Sequence, residues 1–214
     1  MNVIIRPYES NDLEALRQIA CDTVFMGKPY HHIVSNAEVV ADVITLCYTQ
    51  YEPESCLVAE IGGKVVGYLI GTKDIRRMNK IKAKMIPRIT LKIIRYGLLF
   101  NKKNLKFLWF NLFSFFKGET RKEDYAIEYP ATGHINIDAQ YQSSGIASKL
   151  LGESLHYLRK NNIPGVQVSI NTEAGKKFFL KHKFNFLYSQ KRSELRYLIH
   201  QDFTNYIYGL KLSE

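Results

Sequence analysis

Gly133-His-Ile-Asn-Ile-Asp-Ala-Gln-Tyr-Gln142-Ser-Ser-Gly-Ile-Ala147 is the stretch on which the fold turns. Its first half alternates, with His134, Asn136 and Asp138 on one side and Ile135 and Ile137 on the other, which is the period of a strand. Its second half is a turn of small residues leading into 147–160, where Ala147, Leu150, Leu151, Leu155 and Leu158 recur at helical spacing. A strand, a small-residue turn and a helix in that order leave the first-turn amides of the helix without acceptors, at the positive end of its dipole. Such a junction is a cradle for an anion such as a pyrophosphate. Gly145 lets the backbone approach closely, and Ala147 keeps the helix start clear.

Upstream, 2–8 reads as a short strand, and Leu13, Leu16, Ile19 and Ala20 mark a helix. Ser35-Asn-Ala-Glu38 reads as a capping box that opens a second helix running to about Gln50. Two β-branched runs, 55–61 and 64–71, flank Gly62-Gly63, and a type I′ hairpin turn needs positive φ at both central residues. Downstream, 166–170 reads as a strand, 173–182 as a helix and 194–199 as a late strand. Between the hairpin and Gly133 lies an insertion, 75–128, read as amphipathic helices with breaks near Pro87 and at 101–104. The order predicts a single mixed α/β domain over 1–214, with a mainly antiparallel sheet flanked by helices and a helical insertion between the third and fourth strands.

The chain has 214 residues, 46% of them apolar, which suits one globular domain and excludes intrinsic disorder. Cys21, Cys47 and Cys56 have no metal-ligand spacing and read as reduced thiols, and no metal is expected; the adjacent His31 and His32 lack a third ligand. Met1 to Ser10 has no leader pattern, and the most apolar run, 98–116, is broken by Lys102, Lys103 and Lys106; the expectation is a cytoplasmic protein without a membrane span. The formal net charge of +10 is concentrated: 75–118 holds twelve Lys and Arg and no Asp or Glu, leaving eighteen basic against twenty acidic residues elsewhere. A chain-wide affinity for nucleic acid is therefore disfavoured.

Gln142, Gly145 and Ala147 fit Gln/Arg-x-x-Gly-x-Gly/Ala, and in this the chain resembles the GCN5-related N-acetyltransferase superfamily. The resemblance covers about 1–72 and 128–200, including the Gly-Gly hairpin and Asn171…Phe178-Phe179-Leu-Lys-His-Lys-Phe184. Tyr48-Thr-Gln-Tyr-Glu-Pro-Glu54, Arg76-Arg77…Ile86-Pro-Arg88 and Tyr129-Pro-Ala131 look like a bacterial subgroup similar to the acetyltransferase-like domain attached to some β-N-acetylglucosaminidases. What the resemblance implies is an N-acetyltransferase that uses acetyl-CoA as co-substrate, with direct attack by a primary amine of a small molecule or peptide in a ternary complex. It implies backbone contacts from Ile135, Asn136 and Ile137 to the pantetheine arm. The pyrophosphate would take the amides of Ser143, Ser144, Gly145, Ile146 and Ala147, with a side-chain contact from Gln142, and Asn171 would hydrogen-bond the cofactor arm.

The family's frequent glutamate base corresponds to Ala131, and the tyrosine that protonates the leaving thiolate corresponds to Phe179. The residues left for the base are His134, whose ordinary pKa suits neutral-pH proton transfer, and Asp138 as its orienting partner or substitute. Tyr188 or Tyr141 stands in for the acid. These departures keep a second reading open, a catalytically weak acyl-CoA-binding domain that serves as an interaction module. For the insertion the readings are a lid over the acceptor cleft, a contact with an anionic membrane surface through 75–118, a nucleic-acid contact, or a packing or homodimer element.

Overall fold

Gly62 and Gly63 adopt φ of 56° and 80°, as the hairpin requires, and they join strand β2 (Leu57–Ile61) to β3 (Lys64–Thr72). The computed structural model describes residues 2–25, 27–32, 34–119 and 123–212. Around the hairpin, seven strands form one sheet in the order β1-β2-β3-β4-β5-β7-β6, with β1 at Ile4–Pro7, β4 at Ala131–Ile137, β5 at Gly165–Ile170, β6 at Asn185–Arg192 and β7 at Phe203–Lys211. All pairings are antiparallel except β4 with β5.

One face of the sheet carries helix α1 (Leu13–Thr23), a continuous helical stretch made of α2 (Ala37–Ala41), a π-helical turn (Asp42–Leu46) and α3 (Cys47–Tyr51), and the inserted helix α4 (Ile75–Arg95). Leu16, Tyr48, Tyr68, Ile70, Met78 and Met85 form the core on this side. On the other face lie α6 (Ile146–Lys160) and α7 (Glu173–Lys181), whose Leu150, Leu155 and Phe178 pack on β3, β4, β5 and β7. Between α4 and β4 the insertion continues as α5 (Lys102–Phe116), which is packed through Phe110 against Tyr197 of the short helix α8 (Arg196–Ile199).

Four local expectations are corrected. Asn36, not Ser35, caps α2, accepting from the Val39 amide, while the Ser35 hydroxyl accepts from the Asn104 side chain. Pro87 does not break α4: it sits on the exposed face, where water can satisfy the Ala83 carbonyl that loses its donor. The break comes instead at Gly97, with φ of 62°, and Asn101 caps α5. Finally, 194–199 is not a strand. Leu195, Leu198 and Ile199, at helical spacing, pack on Phe25 and Phe107, and the late strands are β6 and β7 on either side.

Asp42 is the charged pin of this arrangement. Its buried carboxylate accepts from Arg17 of α1 at 2.6 Å and from the Lys92 ammonium of α4. Burial pushes the Asp42 carboxyl up, and the Lys92 and Arg17 bonds more than offset this, holding it below the usual carboxylate range. A second buried carboxylate, Glu52, accepts from the Ser55 and Thr72 hydroxyls and from the Lys73 amide, fixing the start of β2 to the end of β3.

Candidate functional site

The site is built where β4 leaves β5. The two strands pair only at Ala131 with Val166 and Thr132 with Gln167, then part. On its other side β4 pairs regularly with β3 through Ile137 opposite Gly67, and the Asp138 amide donates to the Val66 carbonyl. Alternation along this register turns the backbone groups of Asn136 and His134 toward β3. Those of Gly133, Ile135 and Ile137 then face the opening. Here the expected trio is corrected by one member, because Asn136 has its backbone in the β3 pairing and its side chain on the Tyr68 hydroxyl, to which its amide donates at 2.9 Å. A small apolar slot of about 20 Å³ opens at the vertex, walled by Gly133, Ile135, Leu155, Val168 and Phe179, with the Ser154 and Tyr157 side chains on its lining.

At the open end of the fork stands the N-terminus of α6. Gly145 occupies the cap position with φ of 79°, and no side chain caps the helix. The other helices of more than eight residues that begin with a capping bond take it from a side chain: Asp74 for α4, Asn101 for α5, Thr172 for α7. No acidic residue lies in the first turn of α6, so its amides and the dipole behind them are left for an external anion. A Cβ on Gly145 would meet nothing within 4 Å, which describes an open space over the turn. Ser143 is also held at positive φ, 64°, and the Ser144 hydroxyl donates to the Tyr141 carbonyl at 2.5 Å. Gln142 is exposed, and its side chain donates to the Ile137 carbonyl at 3.3 Å, tying the turn to the strand end. Ile146 is buried under the turn, and Ala147 packs beside it. Asn171 is exposed on the opposite arm of the fork, between β5 and α7.

His134 and Asn136 lie on the sheet face covered by α1, α3 and α4, opposite Ile70 and Tyr68. His134 is exposed and its ring makes no hydrogen bond among the described residues. The protein crowded around it disfavours the charged imidazolium, and the Lys82 ammonium adds to this, so its pKa is lowered and the ring is neutral at pH 7. Lys82 comes from the insertion. Its ammonium donates to the Tyr48 hydroxyl at 2.9 Å and stands 4.7 Å from that ring's centre. Burial pulls Lys82 down, and the Tyr48 phenol more than offsets it.

Neither Lys82 nor Tyr48 was singled out by the sequence as a site residue. The signal was present for Lys82, because it stands at helical spacing between Met78 and Met85, the two buried residues of α4, and a lysine on that face asks for a partner.

Asp138 and Tyr188 have other places. Asp138 lies four residues along from His134, about 13 Å at the rise of a strand. Its carboxylate accepts from the Gln140 amide at 3.0 Å and pairs with Lys64 at 3.8 Å, so it does not orient the imidazole. Tyr188 is buried on β6, three strands from β4 or about 14 Å across the sheet, and is stacked on Tyr125 at 5.6 Å. Burial pushes its phenol pKa up. Tyr141 belongs to the turn itself, under the Lys64 ammonium. Among the described residues no group of three His, Cys, Asp or Glu side chains is placed to hold a metal. A larger cavity, about 170 Å³ with apolar walls, lies away from the fork between α2 and the α4–α5 turn.

No protein-family model and no curated protein matches this chain. Solved structures do. The structure of SsHAT superposes with a TM-score of 0.67 at 18% identity, covering all of both chains. An N-acetyltransferase from Staphylococcus aureus Mu50 gives 0.61 at 17%, again over all of both. The putative acetyltransferase yncA from Salmonella typhimurium, solved with its cofactor acetyl-CoA, gives 0.59 at 13%, covering 100% of this chain and 96% of that one. At these identities the likeness is one of fold: the chain shares the mixed sheet flanked by helices of these acetyltransferases, and the helices α4 and α5 stand between its β3 and β4.

Proposed function

We propose that the protein is an acetyl-CoA-dependent N-acetyltransferase whose acceptor is a primary amine of a small molecule or peptide, attacking directly in a ternary complex. One observation carries this reading: the fork between β4 and β5 has an uncapped helix N-terminus at its mouth and an unpaired strand edge along one arm. The chemistry of that arrangement fits acetyl-CoA part by part. The α6 amides suit a pyrophosphate, the free backbone groups of Gly133, Ile135 and Ile137 suit the two amides of a pantetheine arm, and the apolar slot suits its sulfur end. Bound there, acetyl-CoA would supply an activated acyl group as a thioester.

The chain's own residues have three tasks. A β4 amide on the open edge, Ile135 or Gly133, is a preorganised donor for the oxygen on which negative charge develops. His134, neutral at pH 7 and exposed on the other face of the strand, takes the proton that an ammonium acceptor must lose before it can attack. Lys82, held by the Tyr48 hydroxyl, acts on His134 by its charge, and the fixed ammonium disfavours a second cation nearby, which favours binding of the acceptor in its neutral form. Departure of the thiolate has no tyrosine at position 179 to assist it, and the Ser154 and Tyr157 hydroxyls on the slot are the nearest substitutes in kind.

That same absence, with Tyr188 stacked away on β6, favours a second reading, an acyl-CoA-binding domain with little turnover. Calorimetric titration with acetyl-CoA followed by a thiol-release assay over an amine panel separates the two. Saturable binding with amine-dependent thiol release supports the enzyme. Binding with no release across the panel supports the second reading, and no binding refutes both. The finer likeness to the domain attached to β-N-acetylglucosaminidases rests on sequence, and amino sugars therefore belong in the panel.

A further inference from the structure

Helix α5 is apolar on both sides: Phe107 and Phe110 pack inward on the Phe25 cluster and on Tyr197, and a second apolar stripe faces outward. Its buried positions are polar: Asn104 is 4% exposed and Ser114 1%. Asn104 is spent on Ser35 and the Leu98 carbonyl, and Ser114 donates to Glu119. Its outward stripe is apolar, because Leu105, Trp109, Leu112 and Phe116 follow one another at steps of four, three and four and all are exposed, Trp109 by 66% and Phe116 by 78%. The turn before α5 continues the surface with Phe100, 91% exposed. Among the described residues, twelve of the eighteen exposed large apolar side chains fall between 75 and 118, the same segment that holds twelve basic residues and no acidic one. Arg88, Arg95, Lys102 and Lys106 make no ion pair among the described residues.

We infer that α5 and the turn before it lie in the interface of an anionic lipid bilayer, with the aromatic side chains among the upper acyl chains and the free lysines and arginines at the headgroups. Both properties of the surface are needed for this. A contiguous apolar face of this size on a monomer marks an interaction site, and unpaired cations without anions select a negatively charged partner. A second copy of the chain is a poor occupant, because a two-fold interface would set this cationic surface against itself. Nucleic acid would use the charges and leave Phe100, Trp109 and Phe116 in water. A span is not involved, because no helix among the described residues is long and apolar enough to cross a membrane, and α5 at fifteen residues suits a helix lying flat.

Trp109 is the only tryptophan of the chain, so its emission reports the event directly. The full protein is titrated with vesicles of phosphatidylcholine alone and of phosphatidylcholine mixed with phosphatidylglycerol. The expected result is a blue shift with protection from acrylamide, and co-sedimentation, on the anionic vesicles only, reversed by high salt. Lys102→Gln with Lys106→Gln should weaken this partition about 25-fold, at about fivefold per headgroup-level cation. Phe100→Ser with Phe116→Ser, both at exposed positions, should abolish the binding of the sedimenting fraction while leaving the melting temperature unchanged. Unchanged Trp109 emission with the protein left in the supernatant at high lipid would overturn the inference. So would concentration-dependent dimers that the Phe116→Ser change dissociates, or retention on an oligonucleotide without any response to vesicles. None of these outcomes depends on acetyl transfer.

Discussion

His134 shows how one side chain was half legible. Period-2 reading put it on a strand face with Asn136, and the structure keeps it there, opposite Ile70 and exposed. The same reading offered Asp138 as its partner, and that pairing fails because face-sharing says nothing of distance along the strand. What lowers the pKa of His134 is the protein packed around it and, after that, Lys82, fifty-two positions earlier in sequence, which no periodicity in β4 could announce. A group whose folded pKa is lowered is already in its basic form at neutral pH, so the proposed base loses function only as pH falls below the ordinary imidazole value of about 6.5. We predict that kcat/KM stays level through pH 6.5 and falls at lower pH. Lys82→Met should move that acidic limb upward, though by only part of the gap, because burial is the larger cause of the shift. His134→Ala should lower kcat about 10²–10⁴-fold with the KM for acetyl-CoA nearly unchanged. A wild-type limb above 6.5, or one that Lys82→Met leaves in place, would remove His134 from the role of base.

Among elements, those whose local chemistry demands a backbone conformation were read well. Gly62-Gly63 and the Gly145 turn are of this kind, because positive φ leaves few residues to choose from. Those whose faces are decided by neighbours were not. β6 is an edge strand in which only Tyr188 is buried, so 185–192 shows little alternation, and 194–199 has strand-like composition but is held as a helix by the cluster around Phe25 and Phe107. Gly145→Ala tests the α6 cradle. With no atom near the added methyl, its cost is backbone strain of about 1 kcal/mol. A thermal melt should drop by about 2–4 °C, while calorimetry should show acetyl-CoA binding weakened about tenfold, or about 1.4 kcal/mol, by a methyl standing over the amides. Equal binding by the variant would exclude this turn as the pyrophosphate site. Asp42 tests how the insertion is held. Asp42→Asn strips a buried partner from Arg17 and Lys92, which are themselves partly solvated, so the loss should be about 2–3 kcal/mol. Because the folded pKa of Asp42 is lowered, its contribution is present above about pH 4 and fades as pH falls through the folded value. The stability gap between wild type and Asp42→Asn should therefore be widest near neutral pH and narrow in acid melts, and a gap independent of pH would mean that the carboxylate charge is not what pins α4.

At the scale of the molecule, the division of charge was visible in the sequence, since counting by segment shows a near-neutral body and a cationic insertion. Which side of α5 faces water was not, because its apolar residues run round the helix and the inward places of Asn104 and Ser114 are recognisable only once Ser35 and Glu119 are seen to receive them. The sheet carries a comparable hidden weakness. The core around Tyr68 lies under α1 and α4, the cores around Ile137 and Phe184 lie on the α6 side and meet at Ile135, and between the two halves of the sheet β4 and β5 share two residue pairs. A ligand laid along the fork would add bonds to both arms and join the halves. Binding the folded state alone stabilises it by about 2.7 kcal/mol at a hundredfold excess over Kd, which for a chain of this size corresponds to about 5–11 °C in Tm. The amides of Gly133, Ile135 and Ile137, which face the opening, should then gain the largest protection from hydrogen exchange, ahead of those that already pair with β3. If acetyl-CoA raised Tm while protecting residues remote from the fork, such as those around the cavity between α2 and the α4–α5 turn, the coenzyme would be binding elsewhere and the assignment of the fork would fall with it.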